Sequence, residues 1–429
     1  MATEIFKEIN VMNKQIHYRA DVLEHFIPID FDRLVLDLLS SGLLAEQKKM
    51  EFKQFCNRYT ALYHAKSHSK LQQLQSIYRP FNPDRDVLIT KTAEPKEQLV
   101  QLKSELKNIL DKANFEKLSE SDLNEALNKI SPHGVKVSVD FDEFVDVALF
   151  YRGSAIHTEF RRNIKKFQFK KRQYDIQIYR RLFVLLQPKN RQQRIEELTT
   201  DNHMSQKKAE KKVDAAFKTL GISGEEDVVY MKLFKDIPEA DLETLFPNTQ
   251  VKIRLFDKIK LGVLGGGGSV GGIMATITKF SAAIDPVSAM IAIGGLLGVL
   301  WRQISKIFSQ RAKYSAILTK NLYFYSLDNN MGALTALIDT AEIEECKEAI
   351  LAYFFLLIDG ETNRSDLDNR IEKYIYDQYA IPMDFEIVDG LEKLQKSGLL
   401  SQNKTGLNAV SLSEANSQLK QNWAKVIEG

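Results

Sequence analysis

At 429 residues, 44% hydrophobic and 27% charged, the chain has room for two or three domains that each bury a core. A net charge of +2 argues against a general nucleic-acid binder, although local clusters can still matter. Two cysteines, Cys56 and Cys346, exclude a four-cysteine zinc site and fit a reducing compartment.

The opening stretch MATEIFKEINVMNKQ has an early acid and no apolar run, so no secretory signal is expected. Residues 14–78 read as helical: apolar positions recur every three or four residues in FDRLVLDLLSSGLLAE, and Gly42 offers a turn. The prolines of YRPFNPDRD break the pattern, with Asp84 and Asp86 in turn-like chemistry, and TKTAEPKEQ reads as a linker. Two more helices are expected near 96–112 and 119–130, the second capped by Ser119 or Ser121. From Pro132 the character changes to strands in VKVSVDF, DVALFYRG, IKKFQFKKR, YDIQIYRRLFVLLQ and DVVYMKLFKDI, interrupted by charged helix over 189–221. The expected fold is therefore α+β. It has a helical N-terminal region (1–131), an antiparallel-sheet middle domain with basic strands (132–257), a Gly-rich hairpin (258–303), a helical connector (304–341) and a C-terminal module (342–429). In that module, helices at 342–358, 364–379 and 384–398 precede a small hairpin turning at Lys404-Thr405-Gly406. A last helix carries Ser411 and Glu414 at capping-box spacing, and the order suggests a winged-helix-like unit.

The stretch KLGVLGGGGSVGGIMATITKF satisfies G-x-G-x-x-G, but no strand and helix follow with an acid at the right distance, and no Gly-Lys-Ser/Thr is present. Its apolar company also argues against a free linker. A second uncharged run, PVSAMIAIGGLLGVLW, follows a turn at Asp285-Pro286; as helices the two would reach about 27 and 24 Å. G-x-x-x-G spacing at Gly262/Gly266, Gly267/Gly271, Gly268/Gly272 and Gly294/Gly298 lets two helix backbones touch, so a two-helix transmembrane hairpin is expected. Flanking lysines and arginines place both ends on the cytoplasmic or matrix side, in a bacterial inner membrane or a mitochondrial or plastid membrane. The competing expectations are a Gly-rich hairpin buried in a soluble protein or oligomer, and one inserted conditionally.

The run RRNIKKFQFKKRQYDIQIYRR holds nine Lys or Arg against one acid, with aromatics interleaved. Arg161, Arg162, Lys165, Lys166, Lys170, Lys171 and Arg172 are the candidates for lipid or anion contact. Anionic headgroups are preferred to nucleic acid, and a solvated hairpin is the bland reading. His64 and His68 share a helix face, but HAKSH lacks the intervening Glu of H-E-x-x-H and reads as a surface pair. No catalytic residue, cofactor or metal is assigned. The 384–398 helix carries Asp384, Glu386, Asp389 and Glu392 against Lys393 and Lys396, so phosphate would be repelled and protein contact is the better use.

HFIPIDFDRLVLDLL, SIYRPFNPDRD, FDEFVDVALFYRG, IYRRLFVLL and VYMKLFKDIPEADLETLFPNTQVKIRLFD together resemble the transmembrane protein 143-like family, a domain-of-unknown-function family (3754), over about 20–320. The resemblance implies an integral membrane protein with no established activity, and nominates Tyr151, Arg152, Gly153, Lys235, Asp236 and Pro238 as family-like core. The expectation is a membrane-anchored, non-enzymatic protein whose soluble parts contact lipid or a protein partner. The alternatives are an oligomeric pore built from the glycine hairpins, and an enzyme using Arg152 and Lys235 on an anionic membrane-proximal substrate.

Overall fold

The N-terminal helices stop where the sequence changes chemistry. Helix α1 (Phe31–Ser40) starts on Asp30, whose side chain accepts from the Arg33 N–H at 3.2 Å. It ends just before Gly42, which takes φ +75°. Helix α2 (Glu46–Tyr78) runs into the 3-10 turn Arg79–Phe81, where Pro80 and Pro83 forbid its continuation. The structure is a computed structural model describing residues 16–18, 23–86, 88, 95–128, 141–163, 168–201, 203–220, 227–246, 323–402 and 406–428. The helical reading of 14–78 gives way to strand β1 (Ile16–Tyr18) and to a non-helical segment over 23–30.

The chain divides into two compact units: Met1–Leu118 with Asp142–Glu239 and Ser326–Gly429, and Ser119–Phe141 with Ala240–Tyr325. In the first, helix α3 (Pro95–Lys112) and strand β2 (Glu116–Lys117) precede a long hairpin, β3 (Phe144–Asn163) and β4 (Gln168–Pro188). Helices α5 (Arg191–Thr200) and α6 (Gln206–Leu220) follow, then strands β5 (Tyr230–Pro238) and β6 (Ser326–Asn329). The sheet order is β1-β3-β4-β5-β6 with β2 also on β3, and every pair is antiparallel. Leu182 to Leu186 of β4 are all buried, so both faces of that strand are covered. The second unit is described through helix α4 (Glu120–Asn128), capped by the Ser119 hydroxyl, and through Phe141 packed edge-on against Phe246 at 5.4 Å.

Helix α7 (Asn330–Asp359) is the axis of the first unit, and every residue from Glu344 to Leu356 is buried. The expected helix start at 342 falls inside this one helix, which takes in 330–341 of the expected connector; 326–329 of that connector form β6, and 304–322 lie outside the described residues. Its first half packs with α2, α3 and the sheet around Leu74, Tyr78, Leu106, Phe183 and Leu334. Its second half packs with α1 and the start of α2, where Tyr353 stacks on Phe55 at 4.1 Å and Phe354 meets Phe52 at 5.2 Å. Such aromatic pairs contribute about 0.5–1.5 kcal/mol each beyond their burial. Helices α8 (Arg364–Tyr379) and α9 (Ile387–Lys396), strands β7 (Leu400–Gln402) and β8 (Leu407–Ala409), and helix α10 (Leu412–Glu428) complete the same core. Thr362, between α7 and α8, bridges to Leu407, giving the three-helix-plus-hairpin order a third short strand position.

Among the described residues no helix is long and apolar enough to cross a membrane. That overturns the transmembrane hairpin in the expected fold, and with it the integral-membrane function and the membrane placement. The pore and the membrane-proximal enzyme lose their premise in the same way. The hairpin at 258–303, with Gly262, Gly266, Gly267, Gly268, Gly271, Gly272, Gly294 and Gly298, lies outside the described residues.

Candidate functional site

The acids and base of EIEECKEAI sit in the middle of α7, where they face protein on all sides. Glu344, Glu345, Lys347 and Glu348 are all buried. Charges taken out of water require partners: Glu344 and Lys347 hold one extended segment, residues 24–27, directly, Glu348 holds it through Asn114, and Glu345 pairs with Lys112 at 3.1 Å. Ile27 donates its N–H to Glu344 Oε2 at 3.0 Å, and its carbonyl accepts from Lys347 Nζ at 2.8 Å. Lys347 also donates to Glu344 Oε1 at 3.0 Å. Asn114 Nδ2 donates to the His25 carbonyl at 2.8 Å and to Glu348 Oε1 at 3.0 Å. Ser154 N–H donates to Glu24 Oε1 at 3.0 Å, and the Asp384 N–H donates to the Glu24 carbonyl at 3.1 Å. On the far side of α7, Lys393 of α9 donates to Glu348 and lies 3.7 Å from Glu345. Burial pushes the Glu348 carboxyl up to about 7 against the lowering effect of Lys393 and Asn114.

The family-like residues Tyr151, Arg152 and Gly153 belong to the same construction. Arg152 packs its guanidinium over Phe26 at 4.8 Å and Phe115 at 5.4 Å, with Glu344 Oε1 3.4 Å from Nη1. Gly153 has φ +79°, and a Cβ there would sit 3.0 Å from the Phe26 ring and 3.1 Å from Arg180 Cβ, so glycine makes room for the segment that Arg152 clamps. Tyr151 donates its hydroxyl to Glu116 at 2.6 Å. Strand register brings Arg152, Arg181 and Lys235 into one row across β3, β4 and β5. Asp236, at φ +49°, pairs with Arg180 at 3.3 Å, and Pro238 stands opposite Ile178. The YRG segment therefore acts as a latch on the N-terminal segment.

The basic candidates lie at the far end of the β3–β4 hairpin. Arg161 and Arg172 are directly opposite in register, as are Arg162 and Lys171; Lys170 lies on β4 beside a register shift, and Lys165 and Lys166 fall outside the described residues. His64 pairs with Glu342 at 3.1 Å and His68 with Gln72 at 3.1 Å. Among the described residues no group of three or more His, Cys, Asp or Glu is placed to hold a metal. Burial pushes the thiols of Cys56 and Cys346 far up, which makes them poor nucleophiles. A cleft of 650 Å³ opens by the start of α7, lined by Arg79, Arg85, Asp84, Asp86 and Asn330. Asn330, at φ +48°, accepts from the Met231 N–H and donates to Asp84. With two cations facing two anions, this lining selects neither sign of ligand.

In the C-terminal module the 384–398 helix turns part of its charge inward. Gly390 puts α9 against the α7 backbone, where a Cβ would lie 3.1 Å from the Glu348 carbonyl, and Lys393 is buried. Asp384 and Glu392 remain exposed, and Glu386 and Asp389 partly so. Asp368 on α8 is pushed up to about 6 by burial and by Glu372, Asp384 and Glu386. Its buried Oδ1 has no hydrogen-bond partner. His25 Nδ1 lies 3.4 Å from Glu386 and 3.7 Å from Asp384.

Sequence reasoning missed the buried ions of α7 and the inward Lys393. The available signal was a charged cluster, EIEECKE, running without a break into the apolar AILAYFFLLI. Residues 144–332, from β3 to the first turn of α7, match the family described as "Protein of unknown function (DUF3754)". That match bears out the domain-of-unknown-function resemblance and does not extend to transmembrane protein 143 itself. No solved structure matches the chain.

Proposed function

We propose that this chain, whose residues 144–332 carry a DUF3754 segment, is a binding protein whose C-terminal module docks a basic segment of a protein partner. The observation that carries the reading is the group of carboxylates on α8 and in the segment leading into α9. Burial, and after it the nearby Glu372, Asp384 and Glu386, hold Asp368 near 6, while one buried Asp368 oxygen lacks a donor. Like charges held together destabilise the isolated surface, and a cationic partner turns that cost into affinity and orientation. The inward Lys393 leaves α9 with no cation except Lys396, which is paired to Glu392 at 2.8 Å, so a phosphate backbone gains little there.

Calorimetric titration of the full chain with a lysine-rich dodecapeptide, against its glutamate counterpart, tests this. Saturable binding of the cationic peptide that weakens with salt and falls at least tenfold in D384N/E386Q is expected. Absence of binding at low salt, or equal binding by the double variant, refutes it.

A further inference from the structure

Helix α6 separates its charge from its core. Ala209 and Val213, with Phe217 partly buried, pack against Leu198 of α5. At ~100° per residue, Lys207, Lys211 and Lys218 fall in one row and Lys208 and Lys212 in the next, so the five cover about 140° of the opposite face. All five are exposed, and among the described residues none has an ion-pair or hydrogen-bond partner. The acids of the helix are taken up elsewhere: Asp214 accepts from Arg191 at 2.7 and 3.2 Å, and Glu210 from Gln206 at 3.2 Å. The cations around α5 are matched, Arg191 by Asp214 and both Lys189 and Arg194 by Glu197. Lys207/Lys211 and Lys208/Lys212 are like pairs four apart, which disfavour a helix. The carboxylates around Asp368 are the converse. Glu372 accepts the Phe385 N–H at 3.0 Å, and Asp384 and Glu386 have His25 at 3.7 and 3.4 Å. Among the described residues no lysine or arginine pairs with any of the four.

We propose that the two unmatched sets meet across copies, the α6 lysines of one chain docking on Asp368, Glu372, Asp384 and Glu386 of a second. The inference rests on the cationic-partner reading of those carboxylates and names the partner as another copy of this chain. Charge complementarity carries it: a nucleic acid would satisfy the lysines and leave the carboxylates unmatched, whereas a second copy satisfies both. A net charge of +2 sets little overall repulsion between copies, so the opposed patches decide the approach. Both sets lie on the same compact unit of the chain. In a two-fold pair each contact occurs twice, because the residues one copy offers are those the other receives. Lysine suits such a contact, since a point charge on a flexible stem meets carboxylates without the fixed fork geometry of arginine.

The test is sedimentation velocity of the full chain over a concentration series, at about 50 mM and about 1 M salt. A species of twice 49.1 kDa is expected at low salt and its dissociation at 1 M, where the Debye length is ~3 Å. K207Q/K208Q/K211Q/K212Q/K218Q should associate at least tenfold more weakly at low salt. It should melt no lower than wild type, because the like pairs are gone, and it should still bind the lysine-rich peptide through its intact carboxylates. D384N/E386Q should lose both self-association and peptide binding, and mixing the two variants should restore a pair held by one contact. A wild type that stays monomeric at low salt while binding the peptide overturns self-docking and leaves the cationic-partner reading standing. Loss of peptide binding as well overturns both. Equal association by the glutamine variant overturns the proposal, as does capture of a mixed-sequence DNA duplex by the lysines of a chain that remains monomeric.

Discussion

Replacing Lys393 by methionine tests the ionic core most directly. The methionine fills much of the same volume, but it leaves Glu348, 1% exposed, with Asn114 as its remaining donor. Removing one partner of a buried pair costs about 3–5 kcal/mol, because the survivor keeps its desolvation penalty. The first unit has about 320 residues, and at ~2.1 cal/mol/K per residue its unfolding entropy is about 0.7 kcal/mol/K. The loss then corresponds to a melting-temperature drop of about 5–7 °C for a cooperative transition. The pH dependence has a definite sign. A carboxyl raised in the folded state to about 7 from 4.5 opposes folding above the higher value and ceases to do so below the lower. Without Lys393 the carboxyl rises further, so the K393M deficit should shrink as pH falls from 7.5 towards 5. In K393M/E348Q the stranded charge is absent, and most of the loss should return. Scanning calorimetry of wild type, both single variants and the double variant closes the cycle. A K393M melting temperature within 1 °C of wild type at pH 7.5, or a double variant no better than K393M, refutes the account.

Substituting Gly153 by alanine forces a Cβ into a left-handed position against Phe26 and Arg180, and should cost about 1–3 kcal/mol in denaturant unfolding. A neutral result would mean that Phe26 is not held as described. D368N should raise the melting temperature at pH 7 and match wild type near pH 4. A carboxyl lifted to about 6 from 3.8 opposes folding above pH 6 and not below its ordinary value. The opposite order of the two pH values in a thermal-shift series counts against it. G390A should destabilise by about 1–3 kcal/mol, because its Cβ meets the Glu348 backbone carbonyl and α9 must back away.

Helix ends and turns were legible because their causes are local. The prolines after Tyr78, the positive φ of Gly42 and the Asn363 cap of α8 need only a few residues of context. The two-fold alternation of DVALFYRG and the length of IYRRLFVLLQ likewise pointed to paired strands. The start of α7 was misplaced because acids at Glu342, Glu344 and Glu345 imitate a first helical turn, while their partners are distant: Glu344 holds Ile27, 317 positions away, Glu342 pairs with His64 and Glu345 with Lys112. A charge in sequence reads as solvated by default, and only the partner shows otherwise. The transmembrane reading rested on uncharged length and glycine spacing, and no helix among the described residues repeats that character.

The buried cations around α7 and the carboxylates around Asp368 follow different rules. Arg152, Lys347 and Lys393 are buried or nearly so, and each has a carboxylate within 3.4 Å. Burial enforces that pairing, since an unmatched charge in the core would cost more than the fold can offset. The carboxylates Asp368 and Glu372 on α8 and Asp384 and Glu386 just before α9 are instead gathered together, and Asp368 is raised by burial and by those neighbours. That crowding, which pairing relieves for the buried cations, is the ground for the proposed cationic partner.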